Sequence, residues 1–163
     1  MPEERIVVVN TTPIIGLSLL NKLSLLRDLY IKVHIPPTVY AEVMAGGQDK
    51  SSIKLDDSPW IVTTPLADPR QANLFVDLDR GEAEVIALAK EMNADLVVID
   101  ERLARWYARR VGLTLTGTLG ILIKAKNSHL VGAVAPLILQ LQTAGIWLHP
   151  TLVAEVLQLA GEG

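Results

Sequence analysis

Residues 80–105, RGEAEVIALAKEMNADLVVIDERLAR, show the clearest alternation of helix and strand patterns in the chain. A helical pattern over Glu82–Met92 is followed by an apolar run over Leu96–Ile99 and by a second helical pattern over Glu101–Val111. A short apolar run between helices is typical of a buried strand in a parallel sheet, because helices cover both faces of such a sheet. The stretch therefore predicts one unit of an α/β fold.

The same alternation continues on both sides of this stretch. Further strands are predicted at Ile6–Val9, Lys32–Ile35, Ile61–Thr63 and Thr114–Thr116. Further helical patterns run from Pro13 towards Leu25 and over Thr38–Ala45, Ala72–Leu78, Leu119–Lys126, Val134–Ala144 and Thr151–Ala160. The polar, turn-rich segment Gln48–Pro59 is predicted to be a mobile loop. Short strands alternating with helices indicate parallel βαβ units, so we predict a three-layer α/β/α sandwich around a mostly parallel sheet.

Length and composition indicate one domain over residues 1–163. Hydrophobic residues make up 50% of the chain and charged residues only 20%, which excludes a disordered protein. Aromatic residues make up 4%, so the core must be built from Leu, Ile, Val and Ala. The sequence shows no internal repeat, low-complexity tract or linker that would mark a second domain.

The chain contains no cysteine, which excludes a disulfide framework and a thiolate metal site. The opening MPEERIVVVN has an apolar run too short for a secretion signal. No stretch reaches the roughly 18 apolar residues that a membrane span needs. We therefore expect a cytoplasmic protein with no membrane partner.

Two predicted strands end in residues suited to a catalytic site, Asn10 after the first strand and Asp100 after the strand at 96–99. In parallel α/β sheets, sites form outside the carboxyl ends of the strands. The helix that starts at Glu82 precedes the strand at 96–99, so its first turn must lie at this same edge. Apolar residues three and four positions after Glu82 place it on the inward face of that helix. We expect Asn10, Glu82 and Asp100 to meet at one edge of the sheet.

Each candidate also has a structural interpretation. Asp100 can be the cap of the next helix, which does not exclude a metal role. Glu82 can be a partner of its helix dipole, and Asn10 a turn or cap residue. Glu42 by itself is interpreted as a solvated helix residue. Four arginines close in sequence form either a solvated face or a phosphate-binding surface: Arg102, Arg105, Arg109 and Arg110.

Other kinds of site lack their motifs. The sequence has neither a G-x-G-x-x-G after a strand nor a Walker A lysine motif, which excludes a nucleotide cradle of these types. His34, His129 and His149 lie too far apart for ligand spacing and are expected to be structural or exposed. A net charge of −3 and a pI near 5.6 weigh against a protein that binds nucleic acid mainly through phosphates.

Five segments, in order along the chain, carry a resemblance to a known family: VVVNTTPIIGL (7–17), IPPTVYAEV (35–43), RGEAEVIALA (80–89), LVVIDERLAR (96–105) and LTGTLGILIKAK (115–126). They resemble the PIN-like domain, and more specifically its compact prokaryotic branch of nucleases related to the toxins of toxin–antitoxin pairs. The resemblance is strongest over residues 6–126, and a helical part follows at 134–160.

This resemblance implies an α/β/α sandwich that hydrolyses RNA phosphodiesters with Mg²⁺ or Mn²⁺ as its cofactor. The family's catalytic positions fall on Asn10, Glu42, Glu82 and Asp100, with the turn at 116–118 nearby. Its metal ligands fall on Asp100, Glu82 and Glu42. Asn10 stands where the family usually has Asp, so an amide oxygen replaces a charged group and a base. The implied partners are RNA and an antitoxin protein.

Two functional interpretations remain open at this point. The first is a metal-dependent ribonuclease that acts as the toxin of a toxin–antitoxin pair. The second is a catalytically weakened or inactive RNA-binding or protein-interaction module, which Asn10 and the acidic pI favour and the retained carboxylates oppose. A small-molecule enzyme on a flavodoxin-like sheet is a third interpretation, but no phosphate or cofactor loop is visible.

The last predicted helix carries an apolar stripe that one small domain does not wholly cover. The stripe consists of Leu152, Val153, Val156, Leu157 and Ala160. We therefore predict a homodimer formed through apolar helix faces.

Overall fold

The structure is a computed structural model that describes residues 5–46 and 55–163. Its strands are β1 (Val7–Val9), β2 (Val33–Ile35), β3 (Ile61–Thr63), β4 (Leu96–Val98) and β5 (Leu115–Thr116). They form one sheet in the order β3-β2-β1-β4-β5, and every neighbouring pair is parallel. The predicted α/β class and its parallel sheet are confirmed.

Helices flank the sheet. In the described residues they are α1 (Thr11–Leu19), α2 (Leu25–Tyr30), α3 (Pro37–Gly46), α4 (Arg80–Glu91), α5 (Arg102–Arg110), α6 (Thr118–Asn127), α7 (Ala135–Thr143) and α8 (Pro150–Leu159). Short 3-10 helices lie at Leu55–Asp57 and Pro69–Leu74. None of the helices in the described ranges is long and apolar enough to cross a membrane. The arrangement is the predicted sandwich of helices around a sheet.

The helix predicted from Pro13 towards Leu25 is wrong in its length. α1 ends at Leu19 and a separate helix, α2, begins at Leu25. Asn21 lies between them in the left-handed region, with a φ of 56°. Asn is among the few residues that tolerate this conformation, which turns the chain out of the helix.

The helix predicted at Ala72–Leu78 lies closer to the N-terminus in the structure. A 3-10 helix occupies Pro69–Leu74, because the Asp68 side chain caps it by accepting a hydrogen bond from the Arg70 N–H and Pro69 begins it. The first part of the predicted mobile loop, Gln48–Pro59, lies outside the described residues. The other helices and strands agree with the sequence patterns at their ends to within two residues.

Aliphatic side chains fill the core, and those of Val7–Val9 are fully buried. β1 and β4 are aligned so that Val9 lies opposite Val98. The backbone N–H of Asn10 donates to the carbonyl oxygen of Val98 at 2.9 Å. The residues that follow these two strands therefore leave the sheet side by side, at what we call the carboxyl edge.

Candidate functional site

Glu101 receives the hydrogen bonds that cross the carboxyl edge. It precedes α5 in an extended conformation and does not cap that helix with its side chain. Asn10 Nδ2 donates to Glu101 Oε2 at 3.1 Å, and Thr12 Oγ1 donates to Oε1 at 2.7 Å. Asn10 is only 2% exposed, so its side chain is sheltered from water. Both donors follow β1, and together they hold the Glu101 carboxylate against the end of that strand.

Glu82 lies in the first turn of α4 and faces the same edge. It forms a capping box with Asp79: the Glu82 N–H donates to Asp79 Oδ1 at 2.8 Å, and the Asp79 N–H donates to Glu82 Oε1 at 3.3 Å. Burial, followed by the negative charges of Asp79 and Glu101, raises the pKa of Glu82 to about 7. Glu82 is thus both a helix cap and a close neighbour of Glu101.

Glu42 on α3 joins the starts of two other helices. Its Oε2 accepts a hydrogen bond from Thr11 Oγ1 at 2.8 Å, at the beginning of α1. Its carboxylate also lies so close to Gly81 that a Cβ at this position would collide with Glu42 Oε1. Glycine at 81 therefore permits Glu42 to approach the turn that carries Glu82. The sequence alternative of a solvated helix residue does not describe this side chain.

Asp100 is hydrogen-bonded to Thr118 at the start of α6. Thr118 N–H donates to Asp100 Oδ1 at 2.8 Å, and Thr118 Oγ1 donates to Oδ2 at 2.6 Å. Burial raises the pKa of Asp100, although the hydrogen bonds from Thr118 act in the opposite direction. A Cβ at Gly117 would collide with Asp100 Oδ1, so glycine allows this close contact. Asp100 thereby ties the end of β4 to α6, and the cap position of α5 belongs to Glu101.

A family model described as a PIN domain matches residues 6–162. The chain belongs to the PIN domain family. The match includes α7 and α8, which lie beyond the segments that carry the sequence resemblance. No curated protein matches this PIN domain significantly.

The donor set of this PIN domain fits a hydrated divalent cation. In the described ranges, no three His, Cys, Asp or Glu side chains are grouped so that they could hold a metal ion by themselves. Mg²⁺, however, is usually bound by one or two carboxylates and keeps several waters. Glu82 and Glu101 provide such a pair, and the pKa of Glu82 is raised first by burial and then by the negative charges of Asp79 and Glu101.

The structure places the four predicted residues on one side of the sheet, with different partners. Asn10 and Glu82 both neighbour Glu101, whereas Asp100 and Glu42 are each hydrogen-bonded to a threonine. Glu101 was missed by the sequence reasoning, which used it only as the start of a helix. The available signal was a second acidic residue directly after β4, at the position where the chain turns into α5.

Histidines and arginines fall in separate places. His34 Nδ1 lies 2.9 Å from Thr64 Oγ1 beside β3, and burial lowers the pKa of this imidazole. On α5, Arg105 Nη1 donates to the carbonyl oxygen of Ile99 at 2.8 Å, while Arg110 lies over the ring of Trp106. The arginine series is therefore divided between a structural contact and an exposed surface.

Proposed function

We propose that this PIN domain is a divalent-metal-dependent ribonuclease that hydrolyses RNA phosphodiesters. The observation that carries the proposal is the pair of neighbouring carboxylates, Glu82 and Glu101, at the carboxyl edge. Burial and the neighbouring carboxylates of Asp79 and Glu101 disfavour the ionised form of Glu82. Such unfavourable charge is characteristic of functional sites, where a bound ion or substrate offsets it.

The residues of the edge have distinct roles in this proposal. Glu82, Glu101 and Asp100 would hold Mg²⁺ or Mn²⁺ directly or through water, and Glu42 would be a further ligand. A cation bound there would polarise a phosphate oxygen and activate a water molecule for hydrolysis. Asn10 and Thr12 orient the Glu101 carboxylate through their hydrogen bonds. In the same way, threonine hydroxyls orient the carboxylates of Glu42 and Asp100.

One observation favours a second candidate, an RNA-binding or protein-interaction module that has lost catalysis. Asn10 directs its amide N–H towards Glu101, where a family member with Asp would present another carboxylate. This hydrogen bond stabilises the Glu101 charge without a metal ion. A module of this kind would bind a divalent cation weakly or not at all.

A cleavage assay with purified protein separates the two candidates. We expect the wild type to cleave single-stranded RNA in Mn²⁺, and Glu101→Gln to lower the rate by at least about a hundred-fold, as expected for loss of a metal ligand. Glu155→Gln, which changes an exposed glutamate on α8, is the matched control and should retain full activity. Equal cleavage by wild type and Glu101→Gln at matched purity would attribute the activity to a contaminant.

The biological role is a further part of the proposal and depends on the family resemblance. We propose a toxin whose partner is an antitoxin protein. A short DNA-binding protein encoded beside this gene should co-purify with the chain and suppress its cleavage of RNA. Unchanged cleavage in the presence of that protein would contradict the toxin role but not the ribonuclease activity.

A further inference from the structure

A groove of about 720 Å³ opens beside the carboxyl edge. Its lining includes Thr12 and Asp100 from that edge, together with Trp147, His149 and Leu152 from the C-terminal part of the chain. A ligand in the groove would therefore lie next to the residues of the proposed catalytic site. The groove itself has no role in the fold or the chemistry described so far.

The aromatic part of the groove is formed by Trp147 and His149. Trp147 is 76% exposed, and its ring meets the imidazole edge to face with a centroid distance of 5.7 Å. The imidazole is held in turn, because its Nδ1 accepts a hydrogen bond from the Thr151 N–H at 3.1 Å. An exposed indole that is positioned in this way offers a surface on which a nucleobase can stack.

The charged part of the groove contains Arg102 and Arg105. The guanidinium of Arg105 donates a hydrogen bond to the carbonyl oxygen of Ile99. Arg102 is exposed and makes no hydrogen bond, ion pair or ring contact with any described residue. A guanidinium without a partner is well suited to a phosphate group, with which it forms paired hydrogen bonds. The groove thus combines a free cation with an aromatic surface.

We propose that this groove binds single-stranded RNA next to the phosphodiester to be cleaved, with one base stacked on Trp147 and one backbone phosphate on Arg102. The inference rests on the proposed ribonuclease function and adds to it a base-binding subsite. Single-stranded RNA alternates negative phosphates with flat bases, and the groove offers a guanidinium on Arg102 for the first and an exposed indole on Trp147 for the second. Aliphatic side chains such as Ile146 and Leu148 form further lining and would pack against the base and ribose.

The test is the binding of a labelled single-stranded RNA of about ten nucleotides, a length within the usual range of such sites. Fluorescence anisotropy in EDTA measures affinity without cleavage. Trp147→Leu should weaken binding about ten-fold or more, whereas Trp147→Phe should keep most of the affinity because it can still stack. Arg102→Gln should weaken binding and reduce the salt dependence by about one phosphate contact, or roughly 0.7 in the slope.

Two matched controls change exposed residues of α5 that do not line the groove. Trp106→Leu removes another exposed indole, and Arg109→Gln removes another exposed guanidinium. Both should bind RNA within about two-fold of the wild type, since neither contact is lost. Quenching of intrinsic fluorescence by RNA should persist in Trp106→Leu and be greatly reduced in Trp147→Leu. Melting curves establish that each variant is folded.

The outcomes separate this inference from the ribonuclease proposal. Wild-type affinity in Trp147→Leu and Arg102→Gln would overturn the inference, and an apolar protein segment would then be the better occupant of the groove. Absence of RNA binding by the wild type in EDTA would overturn it as well. RNA binding that depends on Trp147 and Arg102, without cleavage in Mn²⁺, would support the subsite and contradict the ribonuclease proposal alone.

Discussion

At the scale of single residues, Asp100 and Glu101 show how two adjacent carboxylates come to serve different parts of the molecule. Asp100 binds Thr118 at the start of α6, whereas Glu101 binds Asn10 and Thr12 after β1. The first contact joins two elements of the fold. The second holds a charged group at the carboxyl edge, beside Glu82.

These contacts predict opposite results for two conservative substitutions. Asp100→Asn should lower the free energy of unfolding by about 1–2 kcal/mol, because it weakens hydrogen bonds from the buried Thr118. Glu101→Gln also weakens the hydrogen bonds from Asn10 and Thr12, but it removes a negative charge beside Glu82, so stability should be nearly unchanged. Its Mn²⁺ affinity should fall about ten-fold. Urea unfolding and Mn²⁺ calorimetry measure the two quantities. A larger loss of stability in Glu101→Gln than in Asp100→Asn would show that the roles are reversed.

Glu82 predicts a pH-dependent effect on stability. Its pKa is raised from 4.5 to about 7 in the folded protein, so its contribution to stability is present below pH 4.5 and is lost as the pH rises through about 7. Without metal, Glu82→Gln should therefore be more stable than the wild type at pH 8, by about 1 kcal/mol after allowance for solvent screening. Gln retains the capping oxygen.

Denaturant unfolding at pH 8 and pH 4.5 tests this expectation, and the difference between the two proteins should disappear at the lower pH. Glu84→Gln is the control, since Glu84 pairs with Arg80 at 2.7 Å and its loss should destabilise the protein. A Glu82→Gln protein that is less stable than the wild type at pH 8 would contradict the expectation.

Asn10→Asp tests whether this position faces the metal. The new carboxylate should increase Mn²⁺ affinity by roughly ten- to a hundred-fold, equivalent to about 1–3 kcal/mol. This is the net gain after the cost of desolvating the carboxylate and its repulsion from neighbouring carboxylates are subtracted from its attraction to the cation. Without metal the variant should be less stable, because a donor to Glu101 is replaced by a like charge. Calorimetry and melting in EDTA measure both effects. Unchanged Mn²⁺ affinity would place this side chain outside the metal site.

At the scale of elements, Glu162 fastens the C-terminus to α7. Its carboxylate accepts hydrogen bonds from the N–H groups of Val134 at 2.8 Å and Ala135 at 2.9 Å, and it pairs with Lys126 at 2.9 Å. The two backbone donors, followed by Lys126, lower the pKa of Glu162 to about 2. An acidic residue after α8 thus supplies the cap at the start of α7.

We expect Glu162→Gln to lower the melting temperature. Because the folded pKa is depressed, the wild-type advantage should be full above pH 4.5 and decline as the pH falls towards about 2. Thermal melting across this range measures the effect, and hydrogen exchange should show faster opening of α7. A difference in melting temperature that is independent of pH would argue against a role for the charge.

At the scale of the whole molecule, the predicted homodimer needs an apolar surface that the chain itself leaves open. Within the stripe on α8, Val156 and Ala160 are buried inside the chain, whereas Leu152 is 44% exposed. A second exposed apolar surface includes Val76, at 81%, and Trp106, at 48%. Exposed apolar residues thus remain on α8, including Leu159 at 73%, as well as at this second surface.

Light scattering at micromolar concentration should give the mass of two chains. Leu152→Asp should shift the mass towards one chain, because a carboxylate in an apolar interface is costly to desolvate. Val76→Asp, which changes an exposed residue outside α8, is the control for the other surface. A wild-type mass of one chain would end the homodimer prediction.

Local patterns in the sequence determined the α/β class, the parallel sheet and the positions of most elements. Apolar spacing and turn residues act over a few neighbours, so they can be recognised without the fold. Topology then placed Asn10 and Glu82 at the carboxyl edge, since a helix preceding a parallel strand starts there. The break between α1 and α2 was missed because the left-handed Asn21 interrupts an otherwise continuous apolar spacing.

The direction of each side chain at the edge was decided only by the tertiary structure. Glu101 contacts Asn10, which is 91 residues away, and Asp100 contacts Thr118, which is 18 residues away. The groove likewise combines α5 with Trp147 and α8. Such contacts depend on the packing of distant elements, and no local spacing in the sequence records them.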